Sequence, residues 1–194
     1  MIKVFNDYNI KAVLHFAGSV VVPESVENPA KYFNNNTGNT LSLIQAMVAS
    51  GVKHLVFSST AAVYGMPDEE SIPIKEYAPK APINPYGASK LMSEMMIRDV
   101  AGADAKGRVG QSTPEATHLI KVVAEVVSGK RDGMQIFGDD YDTPDGTCVR
   151  DYIHVDDLIR AHLLALDYLA RDDKEETITL NCGYGRGFSV NEVI

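Results

Sequence analysis

Short apolar runs alternate along this chain with longer stretches in which apolar residues recur every three or four positions. That alternation predicts strands interleaved with helices. Residues 12–16 (AVLHF) are apolar and β-branched and are closed by Ala17-Gly18, which predicts a buried strand ending in a loop. After a loop over residues 19–28, Asn28 is suited to cap a helix and Pro29 to occupy its first position. Leu41, Ile44 and Val48 then share one face before Gly51 ends the helix. Residues 53–58 (KHLVFS) read as the next strand. Strand, crossover helix and strand form a βαβ unit, which a parallel sheet takes in the right-handed sense. Ligands of such sheets bind beyond the carboxyl ends of the strands, here Ala17-Gly18 and Ser58-Ser59-Thr60.

Five prolines from Pro67 to Pro85 mark a long surface connection, after which Asn84-Pro85 starts a helix through Tyr86, Lys90 and Met95 to about Val100. Residues 101–112 carry three glycines and little apolar content and read as a loop. Thr113-Pro114 begins a helix that stops at Ser128-Gly129, and Asp156 caps another whose apolar face is Ile159, Leu163, Leu166 and Leu169. Residues 177–181 read as a final strand, and Ser189 with Glu192 forms a capping box for a helix at the end of the chain. No internal repeat is present.

Composition narrows the class. The chain has 194 residues, 45% hydrophobic and 23% charged, as in ordinary soluble globular proteins, and not as in disordered, collagen-like or disulfide-scaffold chains. A net charge of −8 repels phosphate backbones, so nucleic acid is not an expected partner. Cys148 and Cys182 belong to no C-x-x-C, and the five histidines form no H-x-x-x-H pair. Free thiols in a reducing cytoplasm and no protein-ligated metal are therefore expected. No stretch approaches the ~18 consecutive apolar residues of a membrane span, and residues 1–9 lack a basic region followed by an apolar one.

The chemistry-bearing pattern is Tyr86-Gly87-Ala88-Ser89-Lys90 on a helix, with hydroxyls at Ser58, Ser59 and Thr60 after a strand. A spacing of four puts the phenol and the ammonium on one helix face. A phenol that titrates near ~10 is a poor base at neutral pH, but a lysine and a cationic nicotinamide nearby favour its phenolate. Tyr86 then removes a proton from a substrate alcohol while hydride leaves the same carbon. Taken alone, Tyr-x-x-x-Lys also reads as a surface pair.

HFAG from His15 to Gly18, VFSSTAAVYG from Val56 to Gly65, NPYGASKLMSE from Asn84 to Glu94 and IFGDDYDTPDGTCVRDYIHVDDL from Ile136 to Leu158 go further. With these segments the sequence resembles the extended short-chain dehydrogenase/reductases, and within them the UDP-glucose 4-epimerases. The resemblance implies an α/β fold, a partial Rossmann-like doubly wound parallel sheet with part of a smaller substrate-binding region. Residues 1–112 would belong to the NAD-binding part and 113–194 to the UDP-sugar-binding part. It implies a tightly held NAD, reduced and reoxidised within one turnover, and a homodimer. Tyr86 would be the base on the sugar 4-hydroxyl, Thr60 would hydrogen-bond the same oxygen, and Lys90 would hold the cofactor ribose and depress the tyrosine pKa. Phe16, Ala17, Gly18 and Asn35 match residues along the NAD. Arg150 matches the arginine on the UDP phosphates, its planar fork suiting that role. His118 and Gln135, Ile136 and Phe137 match the remaining contacts to diphosphate and uracil. Related nucleotide-sugar dehydratases and decarboxylases carry a carboxylate where this chain has Ala61 and Ala62, so the resemblance does not favour their chemistry.

Plainer readings stand beside these. Asn35 also reads as a solvent-facing helix residue, and Arg150 beside Asp151 as a structural ion pair. Gly183, Gly185 and Gly187 follow G-x-G-x-G, not the dinucleotide G-x-G-x-x-G, and the resemblance makes them a loop of the substrate-binding region. The chain also departs from the family. The first βαβ unit, ~30 or more residues with the glycine-rich loop and the acidic ribose ligand, has no counterpart before Ile10. Between Val100 and Gly102 a strand ending in an arginine-tyrosine-phenylalanine-asparagine run is missing, and the chain stops at Ile194 before further uridine and phosphate contacts. Weak NAD binding by the chain as given is the expectation. Three readings follow: an epimerase that works when complete, an inactive truncated remnant of one, or another nucleotide-sugar-modifying member of the family.

Overall fold

Two short apolar runs find each other across a crossover. β1 (Ala12–His15) and β2 (His54–Phe57) pair in parallel, from Ala12 opposite His54 to His15 opposite Phe57. The computed structural model describes residues 1–101, 119–171 and 177–194. It divides into two units, Met1–Gln111 with Ile159–Asn181, and Ser112–Leu158 with Cys182–Ile194.

In the first unit α1 (Ile2–Asp7) precedes β1. The crossover to β2 comprises α2 (Val22–Glu27), α3 (Pro29–Tyr32), a π-helical segment Phe33–Gly38 and α4 (Asn39–Ala49). The loop expected over residues 19–28 therefore contains a helix, with Pro23 and Glu24 in its first turn, where a missing N–H and a negative charge are both favourable. Asn28 caps α3 as expected, its Oδ1 accepting from the Lys31 amide at 3.1 Å. Gly51, at φ 65°, follows α4 as anticipated.

The buried face of α4 differs from the expected one. Leu41 and Val48 are 41% and 64% exposed, and the inward residues are Thr40, Leu43, Ile44, Ala46 and Met47. The π-helical segment widens the turn just ahead of α4, and buried Asn36 and Thr40 turn inward there, so the helix enters with a different face toward the sheet. Leu43, Ile44, Met47, Val52, Leu55 and Ile97 form the core cluster.

The helix expected from Asn84-Pro85 is α5 (Pro85–Ala101), and Asn84 Oδ1 accepts from the Gly87 amide at 2.8 Å. The strand expected at residues 177–181 is absent. Ile178 and Leu180 are 41% and 63% exposed. The Asn181 amide donates to Glu76 Oε1 at 2.9 Å and its side chain to the Ile74 carbonyl at 2.9 Å. Asn181, at the end of this segment, gives its hydrogen bonds to a loop, and the segment joins no ladder.

In the second unit α6 (Leu119–Val127) stops before Gly129, at φ 69°. The helix start expected at Thr113-Pro114, the body of the loop expected over residues 101–112, and His118 lie outside the described residues. β3 (Val149–Arg150) pairs antiparallel with β4 (Phe188–Ser189), two strands too short to leave a periodic signal. α7 (Val155–Leu169) is shared, its residues from Ile159 onward belonging to the first unit. Asp156 does not cap it: His154 does, Nδ1 accepting from the Asp156 amide at 3.2 Å. The expected apolar face of α7 is only partly covered, Ile159 and Leu163 being 48% and 39% exposed. α8 (Val190–Val193) carries the expected Ser189–Glu192 capping box. No helix among the described residues is long and apolar enough to cross a membrane.

Candidate active site

The site is built where β1 and β2 end. Beyond β2, Thr60 caps a 3-10 turn, Ala61–Tyr64, its Oγ1 accepting from the Ala62 amide at 3.2 Å. The Thr60 hydroxyl also hydrogen-bonds the phenol of Tyr86, in the first turn of α5. Gly87 permits this approach, because a Cβ on it would stand 2.5 Å from the Ala62 carbonyl oxygen and 3.0 Å from Pro82 Cβ. Gly65, at φ 72°, is held the same way, its Cβ position 2.0 Å from the Ala81 carbonyl oxygen.

Burial pushes the Tyr86 phenol above the usual tyrosine range, and the Thr60 hydrogen bond pulls it back down. Lys90 is the residue expected to lower it further. The spacing of four does bring the two residues to neighbouring turns. The Lys90 ammonium, however, sits 4.3 Å from the centroid of the Phe57 ring. Lys90 is only 4% exposed; burial lowers its pKa to about 8, opposed by the Glu94 carboxylate.

A polar network that sequence reasoning missed supports these groups. Asn36, 2% exposed, accepts from the Ser19 amide at 2.7 Å and donates to the Ser19 carbonyl and to Ser89 Oγ, both at 3.0 Å. Thr37 and Ser93 donate to the Ser89 carbonyl at 3.0 Å, tying the π-helical segment to α5. Tyr32 is wholly buried, its hydroxyl bonded to the Val21 backbone and to Glu24. Its ring meets the Tyr86 ring edge-on at 6.4 Å. The available signal was the run Asn34-Asn35-Asn36-Thr37, poor helix formers in the middle of a helical stretch.

His15 belongs to the same network. Its Nε2 lies 2.8 Å from Thr40 Oγ1, and that hydroxyl donates its one proton to the Asn36 carbonyl at 2.5 Å. Thr40 must then accept, so Nε2 carries the imidazole proton. Burial and the nearby Lys90 ammonium push the His15 pKa down to about 4, and the ring stays neutral.

Of the residues matched to the cofactor, Asn35 Nδ2 donates to Ser19 Oγ at 2.9 Å and its Oδ1 accepts from Asn39 at 3.0 Å. It is therefore bonded rather than simply solvent-facing. The Phe16 ring packs on His162 at 4.7 Å, Ala17 is exposed, and a Cβ on Gly18 would meet Asn36 Oδ1 at 3.0 Å. Ser59 donates to Glu94, whose other oxygen pairs with Lys80. The serine-rich loop and the proline-rich connection thereby share one anchor on α5.

In the second unit Ile136 and Phe137 are 46% and 83% exposed, and Gln135 is exposed. Arg150 donates to the Val149 carbonyl at 2.7 Å, not to Asp151. The Asp151 carboxylate instead accepts the amides of Tyr184 at 3.1 Å and Gly185 at 2.9 Å. A Cβ on Gly183 would stand 2.5 Å from Asp151 Oδ2. Gly183 and Gly185 thus pack against a carboxylate of their own chain. Among the described residues no group of three or more His, Cys, Asp or Glu is arranged to hold a metal ion.

The UDP-glucose 4-epimerase of Azospirillum brasilense is 56% identical to this chain over 208 residues, covering 99% of it and 59% of the relative. The aligned span exceeds the chain's own length, so the relative carries residues inside the match that this chain lacks. The UDP-glucose 4-epimerase of Bifidobacterium longum, solved in complex with NAD+ and UDP, is similar over all of this chain and 62% of its own, with 42% identity and a TM-score of 0.87. The UDP-Glc/GlcNAc 4-epimerase of Campylobacter jejuni is 49% identical with a TM-score of 0.76, over 99% of this chain and 62% of its own. The chain therefore spans about three fifths of the length of the relatives it matches. The model of the NAD dependent epimerase/dehydratase family matches residues 1–183, and the chain belongs to that family.

Proposed function

We propose that the protein carrying this chain interconverts UDP-galactose and UDP-glucose by transient oxidation at sugar C4 with bound NAD. The observation that carries the reading is the Thr60–Tyr86 hydrogen bond at the strand ends, with the buried Lys90 ammonium one turn further along α5. The names of the similar proteins support it, and Ala61 and Ala62 in the serine-rich loop disfavour elimination chemistry.

The residues present fit a dinucleotide. A side chain on Gly18 would crowd Asn36, at 3.0 Å from its Oδ1, and a bare glycine suits a backbone that a ligand approaches closely. Lys90 is a buried cation with no hydrogen bond to a described residue. In this reading Phe16, Ala17, Gly18, Asn35, Thr60, Tyr86 and Lys90 hold NAD, which when bound supplies the acceptor and donor of hydride. Tyr86 takes the proton of the sugar 4-hydroxyl and returns it. Thr60 donates to the phenol oxygen and favours its phenolate. Because burial opposes that phenolate, the site reaches its working charge state only when further positive charge lies beside the phenol. Arg150, with Gln135, Ile136, Phe137 and His118, is assigned to the uridine diphosphate, residues 1–112 forming the cofactor part and 113–194 the nucleotide-sugar part.

A homodimer is supported by exposed apolar residues on two adjacent helices, Leu41 and Val48 of α4 and Met92 and Met95 of α5.

The test is conversion of UDP-galactose to UDP-glucose by the protein carrying this chain, with Tyr86→Phe and Arg150→Ala variants. Tyr86→Phe is expected to remove most turnover with substrate affinity within several-fold. Arg150→Ala is expected to raise the apparent substrate constant roughly ten- to a hundred-fold, from loss of a charge-assisted contact. Absence of turnover in the parent supports an inactive remnant instead.

A further inference from the structure

Lys90 raises a physical question that the proposed reaction leaves open. An ammonium taken out of water costs free energy unless something stabilises the charge, and Lys90 is 4% exposed. The carboxylate one turn along α5, Glu94, is engaged by Lys80 and Ser59. No hydrogen bond or ion pair to a described residue satisfies the Lys90 N–H groups. What lies against the ammonium is the ring of Phe57, 4.3 Å from Nζ to the centroid.

The sheet register sets this platform. His15 and Phe57 are the last paired residues of β1 and β2, and their rings meet at 5.4 Å and 47°. Burial and the Lys90 ammonium itself keep His15 neutral, so it adds no repelling charge beside the ammonium. Phe57 also packs on the core cluster of Leu55 and Ile97, which ties its ring to the sheet. An aromatic face attracts a cation without forming a directional hydrogen bond, and the attraction strengthens when the cation is desolvated.

We propose that Phe57 is a positioning residue, its ring face holding the Lys90 ammonium at the strand ends with its N–H donors free for the hydroxyls of a bound ligand. The ligand half of this statement rests on the function proposed above. The positioning half does not, and its test needs neither cofactor nor turnover.

The test replaces Phe57 in the full chain by phenylalanines of increasing ring fluorination, which keep the shape of the side chain and progressively remove its negative face. The titration of Lys90 is followed by NMR in protein with labelled lysine, Lys90→Arg identifying the signal. The charged and titratable groups whose charges reach Lys90 are His15 from β1 and Glu94 from α5. His15 and Glu94 are followed in the same titration, so that a change at either is recognised. Lys90 is expected to lose affinity for its proton stepwise along the series, by roughly 0.4–1.5 pH units in all. Phe57→Tyr, which keeps the π face, should restore the parent value, and Phe57→Leu should match the most fluorinated ring. A Lys90 titration that stays constant across the fluorinated series, in variants with unchanged circular dichroism, overturns the proposal. That outcome leaves the Tyr86→Phe experiment untouched, so the two readings fail separately.

Discussion

Gly87 turns its bare α-carbon toward the carbonyl of Ala62, at a separation where a methyl carbon would lie 2.5 Å from the oxygen. The contact joins the first turn of α5 to the turn that Thr60 caps, and so sets the distance between the Tyr86 and Thr60 hydroxyls. Gly87→Ala is expected to destabilise the fold by about 1–3 kcal/mol through forced displacement of one element, and to weaken the Thr60–Tyr86 hydrogen bond. Gly133→Ala, where a Cβ would meet nothing within 4 Å, should change stability by less than about 0.5 kcal/mol. Urea unfolding of the two variants side by side is the measurement.

Thr60 lowers the Tyr86 pKa against the effect of burial. Thr60→Val removes the hydroxyl at nearly constant volume, so the phenol should titrate higher than in the parent. Thr60→Ser should lie close to the parent. NMR of ring-labelled tyrosine, with Tyr86→Phe to identify the signal, reads the shift directly.

His15 links stability to acid. Its folded pKa of about 4 lies below the ordinary 6.5, so between those values the unfolded chain binds more protons than the folded one. Its contribution is fully present above pH 6.5 and is lost as pH falls toward 4, on the order of 2–3 kcal/mol. Unfolding free energies at pH 7, 5.5 and 4.5 should fall in that order. In His15→Gln this part of the slope should flatten.

Asp151 organises the loop after residue 182 by accepting the Tyr184 and Gly185 amides. Asp151→Ala should release both, and Asp151→Asn should keep at least one. Hydrogen exchange at those two amides is expected to quicken several-fold in the alanine variant, with the core amides of Leu43 and Leu55 unchanged. Equal protection in parent and variant would dissociate the glycine triplet from Asp151.

Much of the local architecture was readable because caps and turn residues act over a few positions. Asn28-Pro29 before α3, Asn84-Pro85 before α5, and Ser189 with Glu192 at α8 all behave as their side-chain chemistry requires. The parallel pairing of β1 with β2 followed from two short apolar runs separated by a helical stretch. The Asp151 contacts of Gly183 and Gly185, by contrast, carry no signal in the G-x-G-x-G spacing. β3 and β4, two residues each, were below the length at which periodicity speaks.

By itself, the sequence determined which residues are candidates for chemistry and in what order: Thr60 after a strand, Tyr86 and Lys90 four apart on a helix, and Arg150 in a separate segment. These depend on identity and spacing, which are covalent. Only the tertiary structure decided that α4 buries Thr40 and Met47 and exposes Leu41 and Val48, and that Asn181 gives its hydrogen bonds to Glu76 and Ile74. It also decided that the Lys90 ammonium rests on Phe57 and that His15, buried and bonded to Thr40, is neutral. Burial, protonation and strand pairing depend on what lies across the gap from a side chain, and residues distant in sequence supply that: Phe57 against Lys90, Thr40 against His15, Ala62 against Gly87.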